Sequence, residues 1–331
     1  MRYFLGCDVS KLKVDVSLVD EHGVEQWIDK VPNNMVAIAS LLLTITGHYE
    51  GDYLQAVVEA TGEYHYPLTE AAIALGIGCR VYNPILTKQG IKQSVRGKKT
   101  DRTDALIIAR IGLRGEGRLY SPEPYRVTKY YSRGQQKLGE LATTLKRYEN
   151  HLTGALEDEL SIAAKEMLAG IQAQFKAARA QFISDTADSA PIGIMQRLRT
   201  IPGVGPFIAA NLIGEIQTIE RFTSAKALIA YAGFDPKIRQ SGHTLNSTGR
   251  LTKRGSGHLR RSLFIAASVA RQHDPYFRAL YDKKRAEGKP YTVANIVVAR
   301  KLLTIVRSVW LNEQDYNLDY WTKDINQKTL T

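Results

Sequence analysis

The chain has 331 residues, enough for a substantial hydrophobic core and for more than one domain. Hydrophobic residues make up 44% of it and charged residues 24%, which is ordinary for a soluble globular protein. No apolar run approaches the roughly 20 residues that span a bilayer, and we see no signal peptide pattern. We therefore expect a cytosolic protein that does not contact membranes, with its two cysteines as buried thiols.

Charge is distributed unevenly along the chain. The net charge is +12, yet residues 1–85 hold five basic residues against eleven acidic ones. The positive excess therefore follows them, and no acid occurs between Lys237 and Arg271. Such clusters are typical of surfaces that neutralise nucleic-acid phosphates, although a solvated cationic face is the alternative. The first cluster comprises Lys88, Lys92, Arg96, Lys98, Lys99, Arg102, Arg110, Arg114 and Arg118; the second comprises Lys237, Arg239, Arg250, Lys253, Arg254, Arg260, Arg261 and Arg271.

Strand and helix patterns alternate in the first 82 residues. Three consecutive strands are predicted to form an antiparallel meander, and Asn34 then caps a helix to about Thr46. A strand, a helix and a further strand complete a β-α-β unit. This order is that of the ribonuclease H-like fold, so we predict an α/β protein with a RuvC-like N-terminal domain. The predicted elements are strands 3–9, 13–19 and 24–31, helix 34–46, strand 54–59, helix 66–75 and strand 79–82.

Two acidic residues lie in these apolar strands. Asp8 is near the end of the first strand and Glu59 ends the fourth. A buried acid is costly unless it is paired or binds a metal. In a ribonuclease H-like sheet the two positions meet at one edge. Glu63, in the turn after the fourth strand, is the second choice for the role given to Glu59.

A closely spaced acidic pair comes just before a predicted helix at 105–114. Asp101 and Asp104 have a simpler interpretation as helix-start acids that favour the helix dipole. Together with Asp8 and Glu59, however, they supply four oxygen ligands, which predicts a magnesium site, with manganese as the alternative. The neighbouring residues Lys98, Lys99 and Arg102 are predicted to contact nucleic acid.

Long helical patterns fill the middle of the chain, from 126 to 184. An apolar seam there predicts a helical, coiled-coil arm or hairpin, with an ordinary core helix as the alternative. Residues 185–191 are predicted to be a linker. We therefore divide the chain into a RuvC-like domain at 1–125, an arm at 126–190 and a mainly α C-terminal domain at 191–325. The seam residues are Leu138, Leu141, Leu145, Tyr148, Leu152 and Ala155.

A Pro-Gly-Val-Gly turn at 202–205 lies between two predicted helices. Gly203 and Gly205 would let backbone N–H groups approach a phosphate, as in a helix-hairpin-helix motif. This contact holds the nucleic-acid backbone without reading its sequence. A tight packing turn between helices is the alternative.

A polar, glycine-punctuated segment at 239–250 is predicted to be a surface loop. On pattern alone, Ser241, Ser247 and Ser256 are equally good phosphate-contacting hydroxyls. A serine is a weak nucleophile unless a base or metal activates it, and His243 is a candidate base. Basic residues predicted to contact nucleic acid here are Lys237, Arg239, Arg250, Lys253, Arg254, Arg260 and Arg261.

These motifs, in this order, resemble the IS110 family of insertion-sequence transposases, relatives of the Piv and MooV DNA invertases. The resemblance extends over nearly the whole chain. One departure is that Ser256 follows Gly255 where relatives commonly have Asn. The matching motifs are Glu59–Tyr64, Lys99–Ala105, Ile201–Pro206, Tyr231–Gly233 and Gln240–Gly242.

The resemblance implies a specific chemistry. Asp8, Glu59, Asp101 and Asp104 would coordinate magnesium, and Ser241 would form a covalent phosphoserine link to DNA. Partners would be donor and target DNA, a structured guide RNA encoded by the element, and further copies of the chain. These copies would form dimers or tetramers with composite active sites. The protein would work in the bacterial cytoplasm, at the nucleoid.

Two other functions account for the same residues. A RuvC-like structure-specific endonuclease would hydrolyse DNA with metal-activated water, and Ser241 would only contact phosphate. A non-catalytic nucleic-acid scaffold would explain the charge, but it would leave the strand carboxylates without a purpose.

Overall fold

Two compact units make up the chain, Met1–Pro122 and Glu123–Thr331. The predicted division at 1–125, 126–190 and 191–325 stays a prediction. The structure, a computed structural model, describes residues 1–49, 52–60, 62–82, 101–153, 159–239, 247–253 and 255–318.

A six-stranded mixed sheet forms the centre of the first unit. Its strands are β1 (Arg2–Val9), β2 (Lys13–Asp20), β3 (Glu25–Pro32), β4 (Tyr53–Glu59), β5 (Gly78–Tyr82) and β6 (Arg118–Leu119), in the order β3-β2-β1-β4-β5-β6. Pairing is antiparallel from β3 to β1 and parallel from β1 to β5. This confirms the predicted meander, the β-α-β unit and the α/β ribonuclease H-like fold. Strand β6 was not predicted, because two residues are too short to show an alternating pattern.

Helices cover both faces of this sheet. They are α1 (Met35–His48), α2 (Tyr66–Ala74) and α3 (Asp101–Leu113). Because side chains alternate along a strand, Leu5 and Cys7 of β1 pack with α1 and α2, while Phe4 packs against α3. Asn34 caps α1 as predicted, since its side chain accepts a hydrogen bond from the Ala37 amide (2.9 Å).

Helix α3 starts one turn earlier than predicted. It begins at Asp101, so both acids of the predicted pair lie inside the helix and not before it. The sequence placed the start at Ala105 because the apolar pattern begins there. A first helical turn needs no apolar residue, and acids are favourable at that end.

The second unit is mainly helical, as predicted. Its core includes Leu198, Leu212, Leu263, Phe277 and Leu302, all fully buried or nearly so. Its helices are α4 (Arg126–Thr153), α5 (Glu159–Ser189), α6 (Ile192–Arg199), α7 (Pro206–Ile216), α8 (Ala225–Tyr231), α9 (Gly257–His273), α10 (Pro275–Ala286) and α11 (Tyr291–Leu311).

Helices α4 and α5 pack against each other as a hairpin. The start of α4 also packs on α7, where a Cβ added at Gly214 would lie 2.6 Å from the Lys129 α-carbon. The coiled-coil seam stays a prediction. The predicted linker at 185–191 is wrong over most of its length, because helix α5 continues to Ser189. The helix ends only just before Pro191, which precedes α6.

No helix within the described ranges is both long enough and apolar enough to cross a membrane.

Candidate nucleic-acid-processing site

The two strand acids lie side by side at one edge of the sheet. Asp8 is one residue before the end of β1, and Glu59 is the last residue of β4. The two strands are parallel, with Cys7 opposite Val58, so the next residue on each strand is Asp8 and Glu59. Both side chains are half-buried. The strand register therefore confirms the prediction that Asp8 and Glu59 lie next to each other.

Both acids also lie on the face of the sheet that α3 covers. Gly6 and Val57 are in contact with α3, through Ala109 and Ile108 respectively. Asp8 follows Gly6 by two residues and Glu59 follows Val57 by two. Since residues two apart on a strand share a face, the two carboxylates belong to the α3 side.

The direction of α3 brings its first turn toward the same edge. Its last turn lies near Phe4, where a Cβ at Gly112 would be 3.5 Å from the Phe4 ring, and its Ala105 lies against Gly6. From Gly112 back to Ala105, helix α3 therefore runs along β1 in the direction of Asp8. Asp104 is half-buried in this first turn, and Asp101 begins it. The Asp101 side chain lies outside the described part of the structure.

A tyrosine missed by the sequence interpretation contacts one of the acids. The Tyr82 hydroxyl donates a hydrogen bond to Glu59 Oε2 at 3.3 Å, and the two residues are opposite each other on β4 and β5. The Tyr82 ring is buried among Val57 and Ile108. The only sequence signal was that an aromatic with a polar tip ended the neighbouring strand. Glu63, the second choice for Glu59, is exposed in the following turn.

The donor set has the right chemistry for a hard divalent ion, since every predicted ligand is a carboxylate oxygen. Within the described residues, no group of three or more acidic, histidine or cysteine side chains is close enough to hold an ion. Asp101 is not part of that comparison. Lys98 and Lys99 lie outside the described residues, and so does the side chain of Arg102.

A two-stranded ribbon flanks the predicted serine in the second unit. Strands β7 (Pro236–Arg239) and β8 (Ser247–Leu251) are antiparallel, and Arg239 is opposite Ser247. Ser241 belongs to the connection between the strands. Ser241, His243 and Arg254 lie outside the described residues, as do the side chains of Lys237, Arg239 and Arg250. Lys253, just after the ribbon, is exposed.

Ser256 has a structural role, because its hydroxyl makes two hydrogen bonds within the protein. It caps α9, since its oxygen accepts a hydrogen bond from the Leu259 amide (3.1 Å). The same hydroxyl donates to Glu215 Oε2 (2.7 Å). Because serine and asparagine are both strong N-caps, Ser256 can take the place that Asn commonly has in relatives.

The two predicted arginine contacts on α9 already have protein partners. Arg260 donates to the Ala232 carbonyl oxygen (3.0 Å), and burial lowers its pKa. Arg261 is exposed and pairs with Glu140 (3.0 Å). Arg260 therefore braces the turn after α8, whereas Arg261 stays close to solvent.

The two glycines of the 202–205 turn differ in their surroundings. Gly203 has a φ of +82°, and a Cβ there would lie 2.8 Å from the Ala270 amide nitrogen of α9. Its glycine is thus required by conformation and packing. Gly205 precedes α7 in extended conformation, with open space where a side chain would be. The helix-hairpin-helix assignment stays a prediction.

An ion pair between a buried acid and a partly exposed arginine in the second unit was also missed. Glu215 is fully buried on α7, and both of its carboxylate oxygens accept hydrogen bonds from Arg133 of α4 (2.5 and 2.9 Å). Burial alone would raise the pKa of Glu215, but the Arg133 hydrogen bond and charge, with the Ser256 hydroxyl, hold it below its ordinary value. An acid inside the apolar run Phe207–Ile216 was the available signal, as it had been for Asp8.

Comparison with known proteins decides the family. The profile of the DEDD transposase domain of IS110 elements matches residues 5–158, and the profile described as "Transposase IS116/IS110/IS902 family" matches residues 195–282. The chain belongs to the IS110 transposase family. It is therefore an enzyme that acts on DNA as a transposase or recombinase.

Individual relatives agree with this. The pilin gene-inverting protein of Moraxella lacunata is 26% identical over 321 residues, which cover 92% of this chain and 95% of that protein. The putative transposase y4qE of Sinorhizobium fredii is 24% identical and covers 90% of this chain and 86% of its own. An IS110 protein of Streptomyces coelicolor is 30% identical over 154 residues, 46% of this chain and 37% of its own.

Thermus thermophilus RuvC, solved in complex with a Holliday junction, aligns with 36% of this chain and 100% of its own, at 14% identity and a TM-score of 0.29. The fold assignment rests on the strand order and not on this superposition.

Proposed function

We propose that this IS110-family enzyme cuts and rejoins DNA through a covalent intermediate on Ser241, with Asp8, Glu59, Asp101 and Asp104 acting on the reacting phosphate. The observation that carries the carboxylate half is the shared edge and shared face of Asp8 and Glu59, next to the start of α3. In an enzyme that acts on DNA, carboxylates at the ends of β1 and β4 can hold a divalent ion at the reacting phosphate. The role of Ser241 follows from the family resemblance and from its place between two paired strands.

In the first chemical step, Ser241 Oγ forms a bond to the scissile phosphorus. The bond from phosphorus to the leaving sugar oxygen breaks, the leaving oxygen takes up a proton, and the serine proton passes to solvent. In the second step the oxygen of a sugar hydroxyl forms a bond to the phosphorus and loses its proton to solvent. The bond from phosphorus to Ser241 Oγ breaks, and Oγ takes up a proton. The phosphodiester energy is conserved in the serine ester, so rejoining needs no nucleotide cofactor.

A divalent ion, magnesium or manganese, held by the four carboxylates would supply charge stabilisation at the phosphate. Three predicted cationic positions lie on the two strands that the Ser241 segment connects, namely Lys237, Arg239 and Arg250. Cations in that place would stabilise the extra negative charge of the transition state.

Two further partners belong to the proposal. The first is a structured guide RNA encoded by the element, which the family resemblance implies as a second nucleic acid beside the donor and target DNA. The hairpin of α4 and α5 offers a surface for self-association into dimers or tetramers, in which one protomer could complete the site of another.

The test is a denaturing gel of labelled DNA that carries the element junction and a target, incubated with protein, magnesium and candidate flanking RNA. We expect a slow-migrating, protease-sensitive adduct with the wild type and none with Ser241→Ala. Ser247→Ala is the matched control, because Ser247 lies at the other end of the same connection. It should retain the adduct.

Metal-dependent nicks that are equal in wild type and Ser241→Ala, with no adduct, would establish the endonuclease instead. In that function Asp8, Glu59, Asp101 and Asp104 keep their catalytic role, and Ser241 only contacts phosphate. It is the second candidate because the Asp8–Glu59 arrangement alone would suit hydrolysis by metal-activated water.

A further inference from the structure

Glu215 contacts the chain segment that precedes the β7–β8 ribbon and the segment that follows it. Its carboxylate accepts a hydrogen bond from Ser256 Oγ (2.7 Å), which follows the ribbon. Its backbone carbonyl accepts a hydrogen bond from the Tyr231 hydroxyl (3.0 Å), which precedes the ribbon. One buried residue therefore joins the entry and the exit of β7 and β8.

The same two segments are also packed directly on each other. The Ser256 amide donates to the Tyr231 carbonyl (2.9 Å), and a Cβ at Gly255 would lie 2.7 Å from the Gly233 amide nitrogen. At the base of the ribbon, the Thr252 amide donates to the Asp235 carbonyl (2.8 Å). Glycine at position 255 permits this close approach, which holds Ser256 against the segment that leads into β7.

Glu215 is itself held rigidly. The guanidinium of Arg133 binds it through two hydrogen bonds, a geometry that fixes the plane of the carboxylate. Arg133 is 41% exposed, whereas Glu215 is fully buried on α7, in the core of the second unit. The ribbon base is thus fastened to α7, and α7 to α4.

We propose that Glu215 is a positioning residue for strand cleavage: through Ser256 and Tyr231 it fixes the direction of the β7–β8 ribbon, and so the placement of Ser241. This inference rests on the proposed nucleophilic role of Ser241. It assigns a reaction-specific purpose to a fully buried acid that is not one of the proposed reacting groups.

The experiment compares variants in a single-turnover assay of adduct formation at saturating DNA. Glu215→Gln removes the charge, and Ser256→Ala removes the hydroxyl. Both should lower the rate constant at least tenfold with unchanged DNA affinity. Ser256→Asn keeps an N-cap and an N–H donor toward Glu215, so it should restore the rate to within about threefold of wild type.

A matched control separates positioning from simple loss of stability. Asp274 is another buried carboxylate of the second unit; it caps α10 and accepts a hydrogen bond from the Tyr316 hydroxyl (3.0 Å). Asp274→Asn should reduce stability and the amplitude of the reaction, which reports the folded fraction. It should leave the rate constant of the remaining enzyme unchanged.

Hydrogen exchange gives a readout that needs no DNA. Glu215→Gln should speed exchange at the Thr252 and Ser256 amides, while amides in the middle of α11 keep their protection. Wild-type exchange at both amides, or a wild-type rate constant in Glu215→Gln, would overturn the inference. Absence of an adduct in the wild type would refute the serine nucleophile instead, and the exchange data would still decide whether Glu215 holds the ribbon.

Discussion

Tyr82 donates a hydrogen bond to Glu59 across the neighbouring strands β4 and β5, at 3.3 Å. Its ring is buried between the sheet and α3, so the hydroxyl has little freedom to leave the carboxylate. The acid at the end of β4 is therefore oriented by a residue that sequence interpretation did not select.

Tyr82→Phe should retain the ring packing and lose this orientation. We expect a stability change of about 0.5–1.5 kcal/mol, and DNA cleavage that requires a higher magnesium concentration. Titration of cleavage with magnesium, and of the protein with manganese by electron paramagnetic resonance, would measure it. Tyr53→Phe is the control, because its hydroxyl accepts from Gln55 at the opposite end of β4. Equal metal dependence in both variants would contradict the role of Tyr82.

Gly6→Ala should move α3 away from the sheet. A Cβ at this position would overlap the Ala105 carbonyl oxygen and lie 2.8 Å from the Ala109 α-carbon, and backbone cannot move aside as a flexible side chain could. We expect the free energy of unfolding, measured in urea, to fall by about 1–3 kcal/mol. DNA cleavage should be lost as well. Gly47→Ala, in helix α1 where nothing lies within 4 Å, should leave cleavage unchanged and should raise stability by no more than about 1 kcal/mol. A stable, active Gly6→Ala would show that α3 does not need this contact.

The two glycines of the 202–205 turn should respond differently to alanine. Gly203→Ala introduces strain at positive φ and a clash with α9, so we expect destabilisation of at least about 1–3 kcal/mol. Gly205→Ala should change stability by no more than about 1 kcal/mol, and any effect should be on DNA affinity. Thermal unfolding and binding measurements at fixed salt would separate the two. Weaker binding with intact stability in Gly205→Ala would support the phosphate-contact prediction, and unchanged binding would remove it.

The ion pair between buried Glu215 and Arg133 should make the stability of the protein sensitive to acid. The folded-state pKa of Glu215 is lowered, so its contribution is fully present above the pKa of the unfolded chain, and it is lost as pH falls through the folded value. Glu215→Gln should therefore be less stable than the wild type at neutral pH, and the difference should shrink below about pH 4.5. Urea unfolding between pH 3 and 7 would test this. A difference that is constant with pH would contradict the ion pair.

Local sequence patterns were sufficient to predict most strands and helices of the first unit. Alternating residues in β1 to β5 and the Asn34 cap are short-range signals, and the resulting strand order placed Asp8 beside Glu59. The start of α3 was misplaced because its first turn carries no apolar residue. The linker at 185–191 was misplaced because small polar residues are tolerated at a helix end, and only Pro191 forces the break.

Tertiary contacts determined what the sequence left open. The pairing of Glu215 with Arg133 joins residues 82 positions apart, and no local pattern indicates such a partner. Ser241, Ser247 and Ser256 were indistinguishable by composition, but the bonds of Ser256 to Glu215 and Leu259 give it a structural role. Likewise, a positive φ and the closeness of α9 together explain why position 203 is glycine.

The most direct test of the account is to map the covalent adduct. DNA–protein complexes formed in magnesium would be digested with nuclease and trypsin, which cuts after Arg239 and Arg250 and isolates one peptide with Ser241 and Ser247. Fragmentation mass spectrometry should place the phosphonucleotide on Ser241. Attachment at Ser247 or at another residue, or metal-dependent nicks with no adduct at all, would contradict the proposed mechanism.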